Sequence, residues 1–149
     1  MGIDSSSTMV NIVKEKIKKK SINASIFQCD AATYHSERSF DAVLCLFGVV
    51  DYFMGENCEL LFSNISHAMK KDGLLIIDFM DLDFFREYGT KSTVLEEHKG
   101  NLKSVRVTVP ELDFENKRFS LNLTCVIYKN RDLVDFFEET HILRIFDRD

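Results

Sequence analysis

The sequence has few of the residues that mark fibrous, disulfide-rich or disordered chains. Its 149 residues include one proline, six glycines, four cysteines and no tryptophan, while 45% are hydrophobic and 29% are charged. This composition excludes a collagen-like repeat, a disulfide scaffold and low-complexity disorder. It provides enough apolar material for the core of one ordinary domain.

Long apolar runs and an excess of positive charge are missing as well. We expect no membrane-spanning helix and no secretory signal peptide, because the apolar runs last only a handful of residues. The net charge is −5, from 19 basic and 24 acidic residues, which argues against electrostatic binding of nucleic acid. The cysteines form no CxxC pair and have no histidine at ligand spacing. We therefore expect reduced thiols, no metal and a cytoplasmic protein.

The first 80 residues alternate short apolar stretches with helical patterns. Apolar residues recur at helical spacing from Met9 to Ile17, behind serines that can cap a helix, and again over Glu56–Met69. Strands are predicted at Gly2–Asp4, Ala24–Gln28, Phe40–Leu46 and Leu74–Ile77. The last two are so apolar that we expect burial on both faces. Gly73 is expected to end the second helix in a left-handed conformation.

This alternation of strands and helices predicts an α/β layer with a parallel sheet. Ligands of such sheets bind beyond the carboxyl ends of the strands. The polar and loop-forming residues at those ends are expected to share one rim: Asp4, Asp30, the Phe47–Gly48 turn and Asp78.

After residue 80 the apolar pattern changes to strict alternation, typical of strands. A short helix is predicted first, over Leu82–Tyr88. The alternation that follows predicts an antiparallel meander of about three long strands. No linker composition separates the halves. We therefore predict a single domain, with an α/β part over residues 1–80 and the meander over residues 81–149.

Four segments resemble, in order, the second to fifth strand ends of class I S-adenosylmethionine-dependent methyltransferases. They are Gly2–Ser5 with Met9, Phe27–Ala31, Phe40–Val49 and Met69–Phe79. The later strands, ending in Thr140–Phe146, are similar to a meander that some small-molecule members of this group insert after the fifth strand. The resemblance implies a partial Rossmann-like sheet followed by the meander, S-adenosyl-L-methionine as the cofactor and a small-molecule methyl acceptor.

The resemblance also implies how the cofactor would be held. Asp4 would accept hydrogen bonds from both ribose hydroxyls, because a carboxylate offers two oxygens to a vicinal diol. Ser5 or Met9 would border the adenine. Asp30 would bind the adenine amino group, with the backbone of Ala31 beside it.

The loop after the fourth family strand would serve the rest of the site. Leu46 and Phe47 would give main-chain contacts to the methionyl part of the cofactor. The residues that would face the acceptor are Val49, Asp51 and Tyr52.

Each of these roles has a structural alternative. A strand-end aspartate such as Asp4 often caps a helix, and Tyr52 could be a half-buried packing residue. No catalytic residue is assigned, because alignment carries most of this reaction and a base matters only if the acceptor arrives protonated. Among the four histidines, His141 is better placed than His67 to meet an acceptor.

One departure from the family pattern is plain. The six glycines form no GxGxG loop, and the chain opens on the segment that resembles the second strand. We expect a domain truncated at both ends, with cofactor binding weakened by about 30-fold to 2,000-fold through lost backbone hydrogen bonds. Open sheet edges would favour a homo-oligomer or a non-catalytic module that binds a partner. A nicotinamide-binding domain fits less well, since it too needs a glycine-rich first turn.

Overall fold

The computed structural model describes residues 1–37, 39–88 and 91–147. The chain divides into two compact units, one of parallel strands and helices and one dominated by an antiparallel sheet. The predicted fold class, an α/β layer followed by a β meander, is confirmed. No helix in these ranges is both long enough and apolar enough to cross a membrane.

The first unit consists of Met1–Cys45 and Phe53–Ile77. Its elements are β1 (Gly2–Asp4), α1 (Ser7–Lys19), β2 (Ile26–Gln28), β3 (Phe40–Cys45), α2 (Glu56–Ala68) and β4 (Met69–Ile77). β1 pairs with β2 and β3 pairs with β4, both in parallel. Each pair forms a separate two-stranded sheet among the described residues.

The sequence of α1 explains where the helix begins and how its end is stabilised. The Ser6 hydroxyl oxygen accepts a hydrogen bond from the backbone N–H of Met9 at 3.3 Å, which satisfies one of the unpaired donors of the first turn. Lysines lie in the last turn, where positive charge interacts favourably with the helix dipole. The predicted serine cap is therefore confirmed.

β3 and β4 differ from the prediction of burial on both faces. Leu44, Leu74 and Ile76 are 59%, 57% and 43% exposed, whereas Cys45 is buried. α2 contacts both strands but leaves these three side chains partly open to solvent. That prediction was wrong because an apolar strand sequence does not show whether a layer covers each face.

The turn after α2 also differs from the prediction. Asp72, not Gly73, has the left-handed backbone, with φ of 66°. A Cβ at Gly73 would lie 3.0 Å from the carbonyl oxygen of Lys70 and 3.3 Å from that of Phe40. Glycine is needed here because the backbones of β3 and β4 approach closely where their register is irregular.

The second unit consists of Leu46–Tyr52 and Asp78–Asp149. Its elements are a 3-10 helix (Val49–Tyr52), α3 (Leu82–Tyr88), β5 (Thr93–Lys99), β6 (Leu102–Asp113), β7 (Arg118–Lys129) and β8 (Asp132–Arg144). The strands pair in the order β5-β6-β7-β8, so the meander is confirmed with one strand more than expected. β5 was missed because all its residues are exposed and adjacent glutamates interrupt the alternation.

The core of the second unit lies where α3 packs against β7 and β8. Phe85, Phe119, Leu143 and Ile145 are all at least 96% buried. The rings of Phe85 and Phe119 lie 4.3 Å apart between centroids, within the range of favourable aromatic contacts.

Replacing Phe85 by alanine should destabilise the second unit strongly. The substitution empties a fully buried ring site, and such a change costs about 3–5 kcal/mol in free energy of unfolding. Phe84→Ala is the matched control, because its ring lies in the same helix and is 46% exposed. Urea unfolding should show a much smaller loss for the control, and equal losses would contradict this account of the core.

Candidate functional site

Two exposed aspartates lie at the adjacent carboxyl ends of β1 and β2. The parallel register places Asp4 opposite Gln28, two residues before Asp30. The backbone N–H of Cys29 donates to the carbonyl oxygen of Asp4 at 3.0 Å, so the pairing continues to the last residue of β1. The structure therefore brings these two predicted residues to one edge of one sheet.

Asp4 uses one of its carboxylate oxygens within the chain. Oδ1 accepts the backbone N–H of Ser6 at 2.8 Å, while Ser6 itself caps α1. In the part of the chain that the structure describes, Oδ2 has no hydrogen-bond partner. The next residue, Ser5, is exposed, and Met9 is 48% exposed. The helix-end role and a ligand-binding role of Asp4 are thus compatible.

The loop after β2 is held by a hydrogen bond within the loop and by a side chain of α2. Asp30 Oδ1 accepts the backbone N–H of Ala32 at 2.8 Å. The buried side chain of Asn64 on α2 donates from Nδ2 to the carbonyl oxygens of Ala31 and Ala32, at 3.1 and 2.8 Å. Asn64 was not among the predicted site residues. The available signal was an amide on the apolar face of α2, where a buried polar group needs partners.

A second group of predicted residues lies in the second unit, in the loop that follows β3. The Asp78 carboxylate accepts the backbone N–H groups of Phe47 and Gly48 at 2.8 and 2.7 Å. The bonds from Gly48 and Phe47 hold the pKa of Asp78 below its ordinary value. Both donors have left-handed backbones, with φ of 66° at Phe47 and 65° at Gly48.

This arrangement restricts how the loop can contact a ligand. The N–H of Phe47 is already bonded to Asp78, so a main-chain contact from Phe47 would use its carbonyl oxygen. Its side chain is 94% exposed, and Leu46 before it is partly buried. An ionised Asp78 therefore shapes the loop without presenting its own bonded oxygens to a ligand.

Asp51 does not face outward as the sequence analysis expected. Its side chain is fully buried, and both carboxylate oxygens lie within reach of the Met80 N–H, at 3.4 and 3.3 Å. Burial raises the pKa of Asp51 to about 6, although the Met80 bond opposes the shift. The buried carboxylate cannot face an acceptor as predicted. Asp51 instead supports the loop from inside through its contact with the Met80 N–H.

Tyr52 lies beside a residue that is distant in sequence. Its hydroxyl is 2.9 Å from Nδ1 of His141, and Nε2 of His141 is 3.5 Å from a carboxylate oxygen of Glu139. Tyr52 and Val49 remain 51% and 40% exposed. Glu139 was not predicted as a site residue, because only the alternation of β8 places it on the same side as His141.

Residues 1–73 of the chain match the family described as methyltransferase domain. No curated protein matches the sequence. The sequence resemblance of these residues to a methyltransferase domain is therefore confirmed by an independent comparison, on the half of the chain that contains β1, β2 and β3.

Three solved structures share the fold of this chain. The sugar N-methyltransferase KedS8 from Streptoalloteichus sp ATCC 53650 has a TM-score of 0.84 and 17% identity, over 97% of this chain and 56% of its own. DesVI from Streptomyces venezuelae has a TM-score of 0.82 and 15% identity, over 99% of this chain and 60% of its own. CalS10 from Micromonospora echinaspora is an amino pentose methyltransferase solved with S-adenosylmethionine bound. It has a TM-score of 0.78 and 15% identity, over 99% of this chain and 59% of its own. This chain spans 56 to 60% of the length of these proteins.

Replacing Asp51 by asparagine should remove a pH-dependent loss of stability. A folded pKa of about 6, above the unfolded value of 3.8, means that the stability contributed by protonated Asp51 is present below pH 4. It is lost as the pH rises through 6, at a cost of up to about 3 kcal/mol at pH 7.

The measurement is urea unfolding of the wild-type chain and Asp51→Asn between pH 4 and pH 7. Asparagine keeps an oxygen for the Met80 N–H, so the variant should gain stability relative to wild type as the pH rises. Asp132→Asn, at an exposed position, is the control and should show no such trend. A pH-independent difference for Asp51→Asn would refute the raised pKa.

Proposed function

We propose that this chain serves the transfer of a methyl group from S-adenosyl-L-methionine to a small-molecule acceptor. The observation that carries the proposal is the edge shared by β1 and β2, where the exposed Asp4 and Asp30 lie at neighbouring strand ends. The methyltransferase-domain match covers this edge. Strand ends of this kind are where open α/β sheets bind their ligands.

The residues at this edge suit the nucleoside part of the cofactor. The unengaged Oδ2 of Asp4 can accept one ribose hydroxyl, and Oδ1 can accept a second alongside the Ser6 N–H, because a carboxylate oxygen has two lone pairs. Asp30 can accept the adenine amino group through its own second oxygen. Asn64 keeps the Ala31 backbone in a fixed position, which lowers the entropic cost of binding.

The cofactor supplies a methyl group on a positively charged sulfur, which is already an activated electrophile. The chain then has to orient the acceptor and exclude water. The main chain of Leu46 and the carbonyl oxygen of Phe47 are the groups proposed for the methionyl part. Val49 and Tyr52, both partly exposed, are proposed to contact the acceptor.

The acceptor class to test first is an amino sugar. KedS8 is a sugar N-methyltransferase and CalS10 is an amino pentose methyltransferase. Both share the fold of this chain over nearly all of its residues, but the fold alone does not fix the substrate. The proposal for this chain therefore commits to a small molecule and takes the amino sugar as its first candidate.

A second candidate function is a non-catalytic module that binds a partner or a second copy. The first unit contains a cleft of about 260 Å³ lined by Gly2 and Ile3 of β1, Ala42 and Leu44 of β3, and part of α2. Among the described residues, neither β1 nor β3 has a second strand partner. Unpaired strand edges around an apolar cleft are typical of surfaces that accept another strand.

Titration with S-adenosylhomocysteine tests the proposed function and separates the two candidates. Binding should shift the backbone NMR signals of residues 5–9 and 31–32 in a saturable way. Asp4→Ala should weaken the affinity by about 1–3 kcal/mol, because the charge-assisted hydrogen bonds from the ribose are lost. Glu15→Gln, on the exposed face of α1, is the control and should bind as wild type does.

Each outcome decides a separate point. An unchanged affinity in Asp4→Ala would refute the ribose assignment. A wild-type chain that gives no response at millimolar ligand would refute cofactor binding by this chain and favour the non-catalytic module.

A further inference from the structure

Three polar side chains of the second unit form a continuous chain of contacts. Tyr52 comes from the 3-10 helix, and His141 and Glu139 come from β8. The Tyr52 hydroxyl is 2.9 Å from His141 Nδ1, and His141 Nε2 is 3.5 Å from Glu139 Oε2. The two rings also meet edge to face, with centroids 5.9 Å apart, so the contact has a defined orientation.

The Tyr52 phenol is protonated and can therefore donate a hydrogen bond to His141. Burial, Asp51 and Glu139 all raise the pKa of Tyr52, so the phenol keeps its proton at neutral pH. When the imidazole proton of His141 lies on Nε2, toward Glu139, Nδ1 accepts a hydrogen bond from the Tyr52 hydroxyl. Tyr52 is 51% exposed as a residue, and the lone pairs of its oxygen point away from its donated proton and can accept an incoming donor.

We propose that Tyr52 binds a protonated amine of the methyl acceptor and takes up one of its protons while passing its own proton to His141, with Glu139 as the residue that positions His141. This inference rests on the proposed methyl transfer and deepens it. It assigns a role to Tyr52, which was predicted only to face the acceptor, and to His141, and it adds Glu139 from the meander.

Charge complementarity favours an amine over a neutral hydroxyl group. The charges that act on Tyr52 are those of Asp51, on the same 3-10 helix, and of Glu139, on β8. The residue opposite His141 on β7 is Leu121, which is apolar. The negative charge of these two carboxylates stabilises a positively charged ammonium group at Tyr52, whereas a hydroxyl gains little from the same field.

The proton balance of the step is simple. An N–H proton of the ammonium group passes to the Tyr52 oxygen while the phenol proton passes to His141 Nδ1, which leaves a neutral amine and an imidazolium facing Glu139. The amine lone pair then forms the N–CH₃ bond, and the S–CH₃ bond breaks with its electron pair on sulfur. His141, whose side chain is 32% exposed, returns its extra proton to water.

The first test needs no cofactor and uses the whole chain. Glucosamine and glucose differ only in an amine in place of a hydroxyl, so they form a matched pair of probes. NMR signals of the His141 ring should move saturably with glucosamine and stay still with glucose. Tyr52→Phe keeps the ring contact but removes the oxygen, and it should abolish the response to glucosamine.

Tyr128→Phe is the matched control, because it removes a hydroxyl from β7 at the far end of the sheet and should leave the response intact. Retained dispersion of the backbone spectrum shows that each variant folds. Equal responses to the two sugars, or a glucosamine response that survives Tyr52→Phe, would overturn the proposal whether or not the cofactor binds.

The second test concerns the reaction. With cofactor and amine present, Tyr52→Phe should lower kcat by about 100-fold, in the range of general base effects, while S-adenosylhomocysteine affinity stays unchanged. His141→Gln keeps an acceptor for the phenol but cannot carry the proton, so it should flatten the dependence of the rate on pH. Wild-type rates and pH profiles in both variants would show that these residues only pack together.

Discussion

The parallel pairing of β1 with β2 is the constraint from which the candidate cofactor site follows. Parallel strands end on the same side, so the register that sets Asp4 opposite Gln28 also brings the loop of Asp30 to the same edge. The register alone is enough to bring the carboxylates of Asp4 and Asp30 to the same edge. A shift of the register by one residue would turn the side chains of β1 to the other face, and Asp4 would no longer stand beside the Asp30 loop.

Buried polar groups then give the loops their shape. Asn64 holds two carbonyl oxygens of the loop after β2, and Asp51 supports Met80 inside the second unit. The free energy of burial differs between the two side chains. A neutral amide whose N–H groups are bonded is buried at little cost, while a buried carboxylate resists ionisation. The loop held by Asp78 has the opposite chemistry. There an exposed carboxylate stays charged because two backbone N–H groups bind it.

Local patterns in the sequence predicted the elements well, and packing explains where they failed. The Ser6 cap, the lysines at the end of α1 and the alternation in β6–β8 depend on neighbours in the chain, so they could be predicted. The burial of Asp51 and the exposure of Leu44 depend on which layers meet, and no short pattern encodes that. The pair formed by Tyr52 and His141 spans 89 positions in sequence, and only the meander's geometry brings it together.

The same face of β8 serves both the core and the proposed acceptor site. Residues 139, 141 and 143 alternate onto one side of the strand, opposite Leu123, Leu121 and Phe119 of β7. Leu143 is buried with Phe119, and the face becomes more polar and more open toward His141 and then Glu139. Packing at one end of this row therefore fixes the position of the imidazole two residues away. A strand that is rigid through its core residues can hold a proton-accepting group in place beside an exposed tyrosine, which a free loop could not do as well.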